Sequence, residues 1–291
     1  RHTRSCLKSR GLGDVYKRQV LDLEADCNPH DRRYRYRILA EGDSWFSIGG
    51  FPGSNLLFPM QLHRPAILVN LGYPGDTIRR MSRIASNHNL RMAKSRSHGY
   101  RWHAILLSGG GNDLIDDVDG IVSRPQGRTD DPVSCCNEDS LLETLHKIES
   151  GYRRIVRLRD REGSSCSNRP IITHTYDFVT PRNSSARFFG LPAQGPWLYP
   201  ALKKARIPRR LWNDISDYLV GRLAWRIESL ATGPDRLPAF HVVNTLDTLI
   251  PAEAGETRES NDWMNEIHPN AEGYAKIAKK ISRRLKRLLP A

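Results

Sequence analysis

The chain has 291 residues, a formal net charge of +13, 38% hydrophobic residues and five cysteines. The length suits one α/β domain with insertions. No apolar run is long enough for a membrane-spanning helix or a signal core, and the cysteine spacing suits neither a zinc site nor a dense disulfide framework.

In chain order, the first segment is Ser9-Arg10-Gly11-Leu12-Gly13-Asp14-Val15-Tyr16-Lys17-Arg18-Gln19, which looks like an in-frame translation of a sequencing adapter. Residues 1–19 are therefore set aside as non-native or disordered, and 20–291 is read as a single domain with an insertion near 180–208. The native start could be lost with that segment, so localisation stays open, with the cytoplasm slightly favoured. Setting 1–19 aside removes Arg1, Arg4, Lys8, Arg10, Lys17 and Arg18 against Asp14, a contribution of +5, and leaves +8.

Five apolar runs follow, at 36–40, 66–71, 103–108, 170–176 and 240–244. Between and after them, three-four spacing of apolar residues predicts helices over 77–88, 140–160, 209–231 and 271–288. Such alternation predicts about five parallel strands with helices on both faces and functional loops at the strand carboxyl ends. Two stretches interrupt it. Residues 116–139, rich in Asp, Gly, Pro and Ser, read as an insertion bordering the cleft. Residues 180–208 hold Phe188, Phe189, Trp197, Leu198 and Tyr199 and read as a packed wall over the site, or else as a satellite cluster on the sheet edge.

The residues that carry chemistry sit where those strands end. Gly42-Asp43-Ser44-Trp45 follows the first run, exposing a serine hydroxyl at a strand end. Asn70-Leu71-Gly72-Tyr73-Pro74-Gly75-Asp76-Thr77 follows the second, and Ser108-Gly109-Gly110-Gly111-Asn112-Asp113 the third. Asp262-Trp263-Met264-Asn265-Glu266-Ile267-His268-Pro269 precedes the last helix. Together these resemble the four ordered blocks of the SGNH hydrolases, the GDSL esterase and lipase family, from Ile38 to the C-terminal helix.

The resemblance implies a three-layer, flavodoxin-like sandwich and a carboxylic ester hydrolase acting on a small acyl ester without a metal or organic cofactor. It implies Ser44 as nucleophile and His268 as its base, with an oxyanion hole made of the Ser44 N–H, the Gly75 N–H and the Asn112 side chain. One position departs from the family pattern. Asn265 stands three residues before His268, where the family usually has aspartate, and Asp262 lies three residues further upstream. Either could support the imidazole: Asn265 through a neutral carbonyl, Asp262 through a charge. The alternatives are a transacylase with the same residues, or a catalytically weakened ester- or glycan-binding protein.

Other polar residues read as structural. His174 sits at a strand end as a hydrogen-bonded core histidine, and Asp43 and Asp113 brace loops, with no accompanying metal-ligand spacing. Cys27, Cys135, Cys136 and Cys166 fit free thiols or a disulfide from Cys166 to one of the adjacent pair. The basic tail (Lys276, Lys279, Lys280, Arg283, Arg284, Lys286 and Arg287) reads as a solvated face opposite Ile277, Ile281, Leu285 and Leu288. Nucleic acid is not expected as a partner, and the oligomeric state is left open.

Overall fold

The computed structural model describes residues 18–22, 32–47, 55–83, 90, 93, 101–125, 130–188 and 191–289. Residues 1–17 of the suspected adapter segment lie outside the described residues, as do Cys27 and positions 84–88 of the helix predicted over 77–88.

The five apolar runs form strands β2 (Tyr36–Gly42), β3 (Ala66–Asn70), β4 (Ala104–Ser108), β5 (Ile171–His174) and β8 (Phe240–Val243). All pair in parallel, in the order β3-β2-β4-β5-β8, and β1 (Arg18–Asp22) adds a sixth, edge strand on β3. That edge strand was not expected, because only Val20 and Leu21 in it are apolar and its first two residues fall within the segment set aside. β4 reads Ala-Ile-Leu-Leu-Ser and is buried throughout. A strand covered on both faces has no polar face to show, so its sequence is a continuous apolar run. A short antiparallel hairpin, β6 (Ala186–Phe188) and β7 (Leu191–Gln194), stands apart from the main sheet.

The described helices are α1 (Ser44–Ser47), α2 (Ile78–Met81), α3 (Gly111–Ile121), α4 (Glu138–Asp160), α5 (Leu198–Lys204), α6 (Trp212–Thr232) and α7 (Ala271–Leu288). Asparagine starts two of the three long helices expected from periodicity: Asn137 accepts from Ser140 N at α4, and Asn270 from Gly273 N at α7. Each thereby satisfies an amide that the first helical turn leaves without an intrahelical acceptor. α2, α3, α4 and α6 pack on one another, and α7 lies on β5 and β8, so the sheet is the middle of three layers. α7 buries Ile277, Ile281 and Leu285 and exposes Lys279, Arg283, Lys286 and Arg287, while Lys276 and Arg284 are half-buried.

A helix at the start of the stretch 116–139 was not among those expected: α3 runs to Ile121 and buries Leu114, Val118 and Ile121 at four- and three-residue spacing behind exposed acidic residues. The disulfide alternative does not form, since Cys135, Cys136 and Cys166 are free thiols.

The strand order places the switch point of the sheet between β2 and β4. β3 comes between them in sequence but lies on the far side of β2 in space. In open parallel sheets, ligands bind in the crevice at that point, outside the strand carboxyl ends. Ser44 follows β2 and Asn112 follows β4, so both are delivered there. The floor of the crevice is tight. A Cβ on Gly42 would come within 2.8 Å of the Phe46 ring and 2.9 Å of Ser108 Cβ. Gly42→Ala is therefore expected to cost about 2 kcal/mol by overpacking, read as a lower urea midpoint at unchanged slope.

Candidate functional site

The serine turn is held from beneath by Asp43. Its Oδ1 accepts from Trp45 N at 3.0 Å and from the Ser108 hydroxyl at 2.8 Å, and its Oδ2 accepts from the Tyr176 hydroxyl. Burial pushes the Asp43 carboxyl up to about 6 against those donors, so it is still ionised at neutral pH. His174 completes the support. Its Nδ1 accepts from Tyr176 N at 3.2 Å, which leaves Nε2 as the donor to Ser108 Oγ at 3.0 Å. The His174 ring stacks on Trp45 at 5.1 Å, and burial depresses its pKa to about 3, keeping it neutral. His174 and Asp43 thus have the bracing surroundings expected of them. Asp113 does likewise, accepting from Ile78 N at 2.7 Å and Arg79 Nε at 2.9 Å.

The histidine arrives from the loop before α7. Trp45 Nε1 donates to Ile267 O at 3.2 Å, tying that loop to the serine turn. His268 Nε2 lies 2.8 Å from Ser44 Oγ, and Nδ1 lies 2.9 Å from Asn265 Oδ1. The same Asn265 oxygen accepts from His268 N at 2.9 Å and Ile267 N at 3.1 Å. Two backbone donors can only meet an oxygen, so they fix which end of the amide faces the ring. Nδ1 must then carry the proton and donate, and Nε2 has a lone pair for the Ser44 hydroxyl. Burial depresses the His268 pKa to about 4, so the ring rests neutral.

Asp262 is engaged elsewhere. Its Oδ1 accepts from Lys276 on α7 at 2.7 Å, and its Oδ2 accepts from Ile250 N at 2.6 Å. Of the two candidates left open by the sequence, Asn265 is the one against the imidazole. Among the described residues Asn265 Nδ2 is buried without a partner.

Ser44 and Asn112 line one cavity of about 60 Å³. Its far walls are apolar: Leu114 and Ile115 from α3, Val179, Leu198 from α5, and Leu219 and Leu223 from α6. The volume is several times the roughly 10–15 Å³ that one water requires on the same measure. Asn112 Nδ2 donates to Asp76 O at 2.9 Å, and its second hydrogen has no partner among the described residues. Gly75 is not among the residues lining the cavity. It precedes Asp76 on the loop after β3 and has φ +75°, a left-handed conformation that costs a glycine nothing. Ser44 opens α1, where a helix leaves its amides without internal acceptors.

Of the residues around the site, Tyr176 and Glu266 carried no signal in the sequence, whereas Trp197 belongs to the stretch 180–208 read there as a packed wall. The Trp197 ring stands edge-on to His268 at 5.3 Å, Tyr176 lines the cavity and grips Asp43, and Glu266 holds the chain beside Trp197. Their partners lie tens to more than a hundred positions away, beyond any local period. Among the described residues no group of three or more His, Cys, Asp or Glu is placed to hold a metal ion, and no helix is long and apolar enough to cross a membrane.

Fold and site together define a flavodoxin-like α/β protein with a serine–histidine–asparagine chain at the carboxyl edge of its sheet. No protein-family model matches the chain, and no curated protein matches it. Solved structures similar to it include a native aryl esterase from M. smegmatis, 12% identical over 87% of this chain and 100% of that one, with a TM-score of 0.48. Another is an acetylxylan esterase from Geobacillus stearothermophilus, 14% identical over 87% and 94% of the two chains, with a TM-score of 0.42.

Proposed function

We propose that this protein is a serine esterase of SGNH type that hydrolyses carboxylic esters with short apolar acyl groups through an acyl-enzyme on Ser44. The observation that carries the reading is the aligned chain Ser44 Oγ, His268 Nε2, His268 Nδ1, Asn265 Oδ1, with contacts of 2.8 and 2.9 Å. Ser44 attacks the carbonyl carbon as His268 Nε2 takes its proton, and Asn265 Oδ1 holds the Nδ1–H that keeps the ring in the useful tautomer. The new oxyanion is met by the Ser44 N–H, the Gly75 N–H and the second hydrogen of Asn112. His268 then returns the proton to the departing alkoxide, and the alcohol leaves. Water repeats the sequence on the acyl-enzyme and restores the serine. The apolar cavity beside Ser44 supports an acyl chain of a few carbons on the acid side of the ester.

A panel of 4-nitrophenyl esters from acetate to decanoate, run on wild type and Ser44→Ala, tests this reading. Expected is hydrolysis that peaks within the short chains and disappears in Ser44→Ala.

The depressed His268 pKa gives a second expectation. A histidine serves as base only when neutral, and this one stays neutral until the pH falls toward 4. The acid limb of kcat/KM should therefore lie below the ordinary histidine value of about 6.5, with activity kept at pH 5.5. A limb centred at 6.5 or above would contradict it.

A further inference from the structure

Glu266 lies between Asn265 and His268, yet its side chain faces a different part of the chain. It is 1% exposed. One carboxylate oxygen accepts from Arg182 N at 3.1 Å and Tyr199 N at 2.8 Å. The other accepts from Leu198 N at 3.0 Å and from Trp197 N. Three of these donors are consecutive amides at the start of α5, where Trp197 makes no side-chain cap of its own. A carboxylate from 68 residues away thus does the work of a helix cap.

Arg182 makes the converse contacts. Its buried guanidinium donates to Asn265 O at 2.8 Å, to Glu256 O at 3.1 Å and to Arg258 O. The loop that carries His268 therefore grips the amides of Arg182 and Trp197–Tyr199, and Arg182 grips the carbonyls of the loop. Two charges of opposite sign, each hydrogen-bonded to backbone, satisfy the condition for burying charge.

What the clamp holds in place matters for the ester. Trp197 stands edge-on to His268, and the next side chain, Leu198, is buried in the wall of the cavity that Ser44 opens into. We infer that Glu266 is the positioning residue that sets acyl-chain selectivity, by fixing Leu198 as the wall of the acyl cavity relative to Ser44 and His268. The inference rests on the esterase reading. Without the carboxylate, the Trp197–Tyr199 amides lose acceptors, the wall is free to shift, and the cavity no longer measures chain length.

The test compares kcat and KM for 4-nitrophenyl acetate, butyrate and hexanoate in wild type, Glu266→Gln and Leu198→Ala. Gln keeps the shape of the side chain but turns an NH₂ toward backbone donors. Expected for Glu266→Gln is a selectivity ratio between the best and worst chain lengths that falls about tenfold, mainly through KM of the preferred ester. Leu198→Ala deepens the cavity and should move the preference toward hexanoate by a similar factor. Selectivity within twofold of wild type in folded Glu266→Gln, or an unmoved preference in Leu198→Ala, overturns the inference. If Glu266→Gln does not fold, Glu266→Asp, which keeps the charge one carbon shorter, should show the same loss at smaller amplitude, and unchanged selectivity there overturns it equally. Ser44→Ala in the same panel separates the two readings. Retained hydrolysis there would sink the esterase itself, whereas a dead Ser44→Ala beside an unaltered Glu266→Gln would sink only the clamp.

Discussion

Ser44→Ala is expected to lower kcat on a short aryl ester by about 10⁵-fold, and His268→Ala by about as much. The double variant should be no slower than either single one. Non-additivity follows from the geometry: with Nε2 2.8 Å from Oγ, the serine is a nucleophile only while the imidazole takes its proton, so removing either partner removes the same step. Some rate above water should survive, because the donors proposed for the oxyanion at Asn112 and Gly75 do not depend on the pair. Stability should change little on removing the serine hydroxyl, since its described hydrogen bond is the single one to His268. Effects that simply add would mean that the two residues do not act on one proton.

Asn265→Asp is expected to raise kcat at pH 8 by about 10²-fold and to move the acid limb of kcat/KM upward. Asn265 Oδ1 already has the surroundings of a carboxylate oxygen, accepting three N–H donors, while Nδ2 is buried without a partner among the described residues. Replacing that NH₂ by oxygen removes an unsatisfied donor and sets a negative charge beside the imidazolium that forms as Ser44 attacks. In serine proteases the opposite change costs about 10⁴ in turnover. The gain here should be smaller, because the new charge must be buried, although the Arg182 guanidinium, 2.8 Å from Asn265 O, is close enough to offset part of that cost. The sign of the pH effect follows from the same charge. It favours protonated His268, so the ring begins to lose its function as base at higher pH, and the advantage of the variant shrinks as the pH falls toward 5. A pH profile of kcat/KM for both forms reads rate and limb together. A variant slower at pH 8, with its limb unmoved, would contradict the account.

The parts of this protein that could be read from sequence are those built from local patterns. β4 was legible because a strand buried on both faces is a continuous apolar run, the other four as shorter apolar runs, and α4, α6 and α7 because apolar residues recur in them at three-four spacing. α3 was hidden because Asp116, Asp117, Asp119 and Gly120 dilute the stripe made by Leu114, Val118 and Ile121. α5 was hidden because Pro200 looks like a breaker, though the first helical turn tolerates it. In the site, Ser44, Asn112 and His268 were legible as types at strand and helix ends. The choice between Asn265 and Asp262 was not, since both stand at three-residue intervals before His268. It turned on the tight loop that folds Ile267 N and His268 N onto Asn265, and on Lys276 of α7 taking Asp262. Glu266 and Arg182 were illegible for a similar reason: their partners are backbone groups of a distant segment, which side-chain spacing does not report.

The central claim is that Ser44 forms a covalent acyl-enzyme, and intact-mass and peptide analysis after treatment with a fluorophosphonate tests it most directly. The account predicts one adduct per chain, located on Ser44, absent in Ser44→Ala and formed far more slowly in His268→Ala. A folded wild-type protein that stays unmodified, or that carries its adduct on another residue, would contradict it.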